Sequence, residues 1–352
     1  MKVIRSALIA LAALALVAAT ASGATKQRTA NPQVAILLPD PVGRWATADR
    51  PFLVAALAKA GLTWSVDYAQ GSPTLQMDQA KQAIADGAKV ILLTNVDSRS
   101  GAAIERDADA QGVKVIDYDR LTLRGAATYY VSFDPVKVGS LQASSLVNCL
   151  KASGAYRKHP TVAELNGSPS DSNSARVKQG YDSVLRPLFS KGIFRKGPDR
   201  WVPGWSPATA LVLFQQMLRS TGSKIDAVVA ANDNLGGAVI STLKGKHLEP
   251  IPVTGQDATA QGIQNIFSGW QCVTVYKPTK LEADAAVRLA VSLVEGSKPV
   301  GLNAKISDGT RLVPSVIEAP IAVTKANWDL PIRDGYLKRS DVCAGSYKQF
   351  CK

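Results

Sequence analysis

The sequence predicts an α/β protein of two doubly wound domains, and three observations carry that expectation. Short apolar runs alternate with stretches whose apolar residues recur at helical spacing. That rhythm starts at the beginning of the chain and starts again near its middle. The length, 352 residues, also exceeds what one core of about 150 residues would organise. Strands covered on both faces read as unbroken apolar runs, so the alternation means parallel sheets with helices on each side.

The elements follow in order. Residues 34–38 form an apolar run closed by Pro39, a buried strand. Phe52, Leu53, Ala56, Leu57 and Ala60 then recur at helical spacing until Gly61 stops them. A strand over 63–69, a helix over 74–85 stopped by Gly87, and a strand over 89–93 come next. A helix containing 104–110 ends at Gly112, before strands over 113–116 and 129–133. In the second half, strands are expected over 161–165, 225–230, 251–254 and 273–276. Helices are expected over 138–150, 174–185, 208–218, 235–243 and 281–294.

Lys2 and Arg5 precede an apolar stretch over 7–19, and Ala19-Thr20-Ala21 and Ser22-Gly23-Ala24 both fit a small-residue cleavage site. Residues 1–24 therefore read as a signal peptide, too short for the ~20 apolar residues of a spanning helix, and the protein is expected to be extracytoplasmic. No Cys stands near the cleavage site to take a lipid. The formal charge is +13, but the basic residues are scattered singly, without the runs of a nucleic-acid arm, so no nucleic acid is expected as partner. Four cysteines, Cys149, Cys272, Cys343 and Cys351, are an even number in a secreted chain, which points to disulfides. None lies in a C-x-x-C pair, and His159 and His247 are not at zinc spacing from them, so no metal is expected.

In doubly wound sheets ligands bind beyond the carboxyl ends of the strands. Polar residues follow the strands here repeatedly: Asp40, Arg44 and Trp45 after the first, Asp117, Asp119 and Arg120 after the fourth. In the second half come Asp171 and Asn173, then Asn232 and Asp233, then Gln256 and Asp257, and finally Lys277. Trp205 adds an aromatic ring. A sugar suits this mixture, because planar carboxylates, amides and guanidinium groups each grip two hydroxyls. The apolar C–H faces of a pyranose stack on indole rings. Several of these residues also fit plainer roles. Asp171, Asn173, Asp233 and Asp257 suit helix caps, Asp119 and Arg120 an ion pair, and the tryptophans core packing.

Enzyme chemistry is poorly represented. No G-x-G-x-x-G follows the first strand, Walker A is absent, and no G-x-S-x-G elbow follows a strand, so no cofactor is expected. His159 and His247 fall in polar, loop-like stretches that suit no general base. Paired carboxylates for glycoside hydrolysis are set by spatial separation, which leaves a secreted glycosidase-like enzyme as the rival reading.

Seven segments together resemble the periplasmic binding proteins of the ribose/galactose/xylose class, and most of all the xylose-binding proteins of ABC transporters. They are Arg44-Trp45, Tyr118-Asp119-Arg120, 130–134, 167–173, Asn232-Asp233, Gly255-Gln256-Asp257 and 274–278. The resemblance spans about 34–336. It implies a type I fold: two Rossmann-like domains joined by three crossing segments, near Phe133-Asp134, Tyr276-Lys277-Pro278 and Ala319-Pro320, with a sugar between the lobes. It further implies an N-terminal lobe of 33–132 plus 277–318 and a C-terminal lobe of 133–276 plus 319–352. Arg44, Trp45, Asp119 and Arg120 would be the first lobe's contacts. Asp171, Asn173, Trp205, Asn232 and Asp257 would be the second's, with Lys277 near a crossing.

The expected function is capture of a monosaccharide by a monomeric, non-enzymatic protein that delivers it to the membrane permease of an ABC importer. D-xylose ranks first, then glucose, ribose or arabinose. Presentation of a sugar to a membrane sensor is an alternative. In that topology Cys149 and Cys272 both fall at the far end of the second lobe, while Cys343 and Cys351 sit close together in the tail. The expected pairs are Cys149–Cys272 and Cys343–Cys351, and the other two connectivities of four cysteines stay open.

Overall fold

In the computed structural model, which describes residues 31–351, the apolar runs become strands and the stretches between them become helices. The expected signal peptide, 1–24, lies outside the described residues. The chain begins β1 (Val34–Leu38), a π-helical turn (Trp45–Asp49), α1 (Arg50–Lys59), β2 (Trp64–Tyr68), α2 (Pro73–Ala85), β3 (Val90–Leu93), α3 (Ser98–Ala110), β4 (Lys114–Tyr118) and β5 (Tyr129–Phe133). It continues α4 (Pro135–Ala152), β6 (Thr161–Asn166), α5 (Ser172–Ser190), β7 (Arg195–Trp201), α6 (Pro207–Ser220), β8 (Ala227–Ala230), α7 (Asp233–Gly245), β9 (Thr254–Gln256), α8 (Ala260–Phe267) and β10 (Val273–Tyr276). Last come α9 (Thr279–Glu295), β11 (Ala304–Ser307), β12 (Leu312–Glu318), β13 (Ile321–Val323), α10 (Leu330–Arg333) and α11 (Arg339–Val342).

One sheet has the order β11-β12-β5-β4-β3-β1-β2, parallel except at β11. Two three-stranded sheets, β7-β6-β8 and β13-β10-β9, meet through a parallel bridge between Val228 and Val253. The second layer therefore runs β7-β6-β8-β9-β10-β13, the same strand order as β2-β1-β3-β4-β5-β12, except that β13 is antiparallel to β10 where β12 is parallel to β5. Strand order reverses between β1 and β3 and between β6 and β8, so each layer has a switch point at which polar loops converge.

The alternation of side chains along β1 shows how the first layer is buried. Ile36 and Leu38 pack with Leu53 and Leu57 of α1 and Ala286 and Leu289 of α9. Ala35 and Leu37, on the opposite face, pack with Ala80 of α2 and Ile104 of α3. The chain passes between the layers three times. After β5, α4 packs on the second layer, with Val138 and Leu146 against Val162, Val229 and Val275. After β10, α9 returns to the first, and after β12 the chain leaves it for β13.

Several boundaries differ from the sequence expectation. The strand expected over 113–116 extends through Tyr118 as β4, which places Asp117 inside the sheet. There it accepts hydrogen bonds from the amide (2.6 Å) and hydroxyl (2.8 Å) of Thr122. The strand expected over 251–254 begins only at Thr254, because Pro250 and Pro252 lack the N–H a ladder needs. β7, β11–β13, α8 and the tail helices were not anticipated. β7 reads Arg-Lys-Gly-Pro-Asp-Arg-Trp and lies at a sheet edge, where nothing demands an apolar run.

Two cysteine pairs stand at disulfide distance, Cys149–Cys272 with Cα atoms 6.4 Å apart and Cys343–Cys351 at 6.0 Å.

Helices α4 and α5 approach so closely that backbone meets backbone. A Cβ on Gly139 would run into the carbonyl oxygen of Val177, and one on Gly180 into that of Val136. Each of Gly139→Ala and Gly180→Ala should lower stability by about 1–3 kcal/mol in urea unfolding. Gly237→Ala in α7, where nothing lies within 4 Å of the added carbon, should be neutral or stabilising.

Candidate functional site

Beyond β1 the chain turns at Gly43 (φ +57°) and enters the π-helical turn through Arg44. A π turn bonds residues five apart, which brings Asp49 beneath Arg44. The Asp49 carboxylate accepts from Arg44 Nε (2.8 Å) and Nη2 (2.6 Å) and from the Tyr118 hydroxyl (2.9 Å). Arg44 Nη2 also donates to Glu282 of α9 (2.9 Å), and Nη1 donates to Asp119 (2.9 Å). Arg44, Asp49, Asp119 and Glu282 are all buried. Burial opposes the charge on Arg44, but Asp119, Asp49 and Glu282 outweigh it and keep the guanidinium protonated. Burial, followed by the charge of Asp119, pushes Glu282 well above the usual carboxylate range.

Asp119 follows β4 in the left-handed region (φ +62°). Burial alone would raise its pKa, yet Arg44, Lys277 and Arg120 outweigh burial and hold it well below the usual range. Its carboxylate also accepts from Lys277 Nζ at 3.3 Å. Lys277 Nζ lies 3.2 Å from Asp257 as well, so it bridges the ends of β4 and β9. Burial and Arg44 disfavour the charge on Lys277, and Asp119, Asp257 and Glu282 restore it.

A second set of contacts spans the two layers. Arg120 Nε lies 2.9 Å from Asp171 Oδ2, an ion pair by distance in which the N–H is not aimed at the oxygen. Arg120 Nη1 donates to the Asn95 carbonyl (3.0 Å). Asp171 caps α5, accepting from the Asn173 amide (2.9 Å), and takes the Trp205 indole N–H (3.1 Å). Asn173 Nδ2 donates to the Asp119 carbonyl (2.8 Å), which also accepts from Ser132 (2.8 Å) and Tyr130 (3.2 Å). Trp45 lies under two guanidinium groups, Arg44 at 4.7 Å and Arg120 at 5.5 Å from the ring centre. Trp205 rests on Gly167, where a Cβ would strike the ring.

Nine of the ten expected residues are thus joined by direct contacts: Arg44, Trp45, Asp119, Arg120, Asp171, Asn173, Trp205, Asp257 and Lys277. Asn232 is not. Its Oδ1 caps α7 through the Leu235 amide (2.9 Å). Asp119 pairs with Arg44 and Lys277 rather than with its neighbour Arg120. Asp49, Glu282, Tyr118 and Asn95 were not anticipated. Asp49 and Glu282 lie within helices, and only the turn geometry and the return of α9 bring them to Arg44.

Chemically, the cluster offers carboxylates, guanidinium and ammonium groups, an amide and two half-buried indoles around one junction of the layers. Asp233 stands apart from it. Its carboxylate accepts from Gln271 Nε2 (2.7 Å) and from the Thr259 amide (2.7 Å), and burial pushes its pKa up to about 7.

Comparison with known proteins places this geometry. The model of a family described as periplasmic binding protein domain matches residues 34–298. The chain is 34% identical over 301 residues to the D-xylose-binding periplasmic protein of Escherichia coli, covering 85% of this chain and 88% of that protein. It is 32% identical over 314 residues to the multiple sugar-binding periplasmic receptor ChvE of Rhizobium radiobacter, covering 85% of this chain and 88% of that one. Among solved structures, an ABC transporter solute-binding protein from Clostridium phytofermentans with bound β-D-glucose superposes with a TM-score of 0.80. It is 25% identical, covering 88% of this chain and 99% of the other. A carbohydrate transporter solute-binding protein from Chloroflexus aurantiacus in complex with D-glucose gives 0.79 at 28% identity, covering 88% and 98%.

Arg44→Ala should destabilise the protein by about 3–5 kcal/mol in denaturant unfolding, because it leaves buried carboxylates without their cation. The raised pKa of Asp233 means the folded state binds more protons than the unfolded chain between about pH 4 and 7. Its contribution is complete below the unfolded pKa and lost as pH rises through about 7. Asp233→Asn should therefore flatten the fall in melting temperature over that interval.

Proposed function

Since the chain belongs to the periplasmic binding protein family, we propose that it captures a neutral aldose outside the cytoplasm and delivers it to the membrane permease of an ABC importer. D-xylose is the first candidate and D-glucose the second, in line with what the named relatives bind. The sugar sits between a lobe of 33–132 plus 277–318 and a lobe of 133–276 plus 319–352. Closure occurs about the three crossings near Phe133, Lys277 and Ala319. Contacts from both lobes favour the closed form, which the permease recognises. One observation carries this reading: Asp119 and Arg120 at the end of β4 meet Asn173 and Asp171 at the start of α5.

Charge supports a neutral ligand. Arg44, Arg120 and Lys277 are each already matched to a carboxylate, so an acidic sugar finds no unpaired cation in this cluster. The same pairing weighs against a glycosidase. Despite burial, Arg44, Lys277 and Arg120 hold Asp119 well below the usual carboxylate range, which suits an anion rather than the protonated acid that glycoside cleavage needs. The likeness to a protein described as a receptor keeps presentation to a membrane sensor as a second role for the same closed form.

Calorimetric titration against pentoses and hexoses should show tight binding of D-xylose or D-glucose, sugar recovered unchanged, and no binding of D-glucuronate. Asp257→Ala and Arg120→Ala should each weaken binding by ~2–4 kcal/mol, because each leaves buried polar groups unpaired. Release of a hydrolysed or oxidised product would exclude the binding-protein reading.

A further inference from the structure

The chain does not end with the last crossing. After β13 it forms a compact tail that packs on α8: Phe267 meets the edge of Trp328 (5.0 Å) and stacks on Phe350 (5.3 Å). Gln264 Nε2 donates to the carbonyls of Asp341 (3.0 Å) and Val342 (3.1 Å). The tail thereby seats Tyr336, which is 7% exposed, edge-on to Tyr276 with ring centres 5.2 Å apart. Its hydroxyl donates to the backbone carbonyl of Asp257 at 2.6 Å.

Asp257 is an unusual place for such a bond. Asp257 (φ +85°) and Ala258 (φ +45°) are consecutive non-glycine residues in the left-handed region. Such strain persists only where the surroundings over-determine it. Two constraints come from β10: the Asp257 amide donates to Val275 (2.9 Å) and the Ala258 amide to the Thr274 hydroxyl (2.9 Å). The third is Tyr336, from a segment separated by 79 residues. The direction of the Asp257 side chain toward Lys277 follows from that turn.

We propose that Tyr336 is a positioning residue for the ligand site: the tail sets the affinity for sugar through the Tyr336 hydroxyl, which holds the Asp257 turn in its strained conformation. The proposal rests on the assignment of Asp257 to the sugar site. Tyr336→Phe keeps the ring and its packing and removes only the hydroxyl, and the loss of one hydrogen bond corresponds to roughly a fivefold rise in Kd.

The test titrates D-xylose and D-glucose into the wild-type chain, Y336F, D257A and the double variant, and follows amide hydrogen exchange of a peptide covering 254–260. The expected result is faster exchange in that peptide for Y336F without sugar, a roughly fivefold weaker Kd, and no further weakening when Y336F is added to D257A. Unchanged exchange and affinity in Y336F, with D257A still weakened, would overturn the role of Tyr336 and leave the site assignment standing. Normal binding by D257A would overturn both. Equal losses from Y336F in both backgrounds, with a lowered melting temperature, would mark a general packing role and also overturn it.

Discussion

Arg44 holds its charge away from water only because Asp49, Glu282 and Asp119 surround it, and that requirement ties together three stretches of chain. Taking an ion out of water costs several kcal/mol even after relaxation, so the cluster survives only with each partner in place. Asp49 is local and is delivered by the π turn. Glu282 is not. It arrives on α9, 238 residues after Arg44, once the chain has built the second layer and come back. In chain order the first layer therefore completes the set of partners around Arg44 last, and the helix that completes it also supplies Ala286 and Leu289 to the core under β1. Packing and electrostatics are closed by the same element.

The two layers share one strand order, and this explains where the polar residues gather. In each, the strand order reverses beside the first strand of the unit, so the loops after β1 and β6 diverge from those after β3 and β8 and leave room between them. Arg44 and Trp45 lie on the first of these loops, and Asp171 begins α5 just past the second. Lys277 stands at a crossing and touches Asp119 on one side and Asp257 on the other.

Much of this was legible in the sequence, for a physical reason. β1 and β3 are buried on both faces, and burial on both faces forces unbroken apolar runs. The glycines that stop α1, α2 and α3 sit at positive φ (Gly61 +71°, Gly87 +89°, Gly112 +74°), where other residues are strained. Strand-end polar residues were legible because the fold leaves polar groups little other place to converge. What stayed hidden was set by distant partners. β7 has one neighbour and an exposed edge, so it carries charges where a pattern reading seeks valine or leucine. Asp49 and Glu282 look like ordinary helical acids until Arg44 is seen between them. Asn232 follows β8 like the others, and its Oδ1 caps α7 through the Leu235 amide, a role that a strand-end reading does not separate from a place in the cluster.

The Asp119 carbonyl oxygen accepts three hydrogen bonds, and they do not come from the same side. Ser132 and Tyr130 belong to β5 of its own sheet, and Asn173 belongs to α5. Asp171 is arranged alike, with the Trp205 indole from its own side and Arg120 from across. Arg120 in turn keeps the Asn95 carbonyl when Asp171 is withdrawn. The Asp119 carbonyl and the Asp171 carboxylate thus keep partners at home, whereas the Leu121 carbonyl, which accepts from Ser172 Oγ (2.6 Å), and Asn173 Nδ2 exchange their link for water when the sides part. For Asp119 and Asp171, parting the two sides strands no acceptor, so the penalty that usually locks a polar interface shut is reduced here. Such a junction is reversible by construction: a few modest contacts can close it, and their loss leaves both surfaces intact.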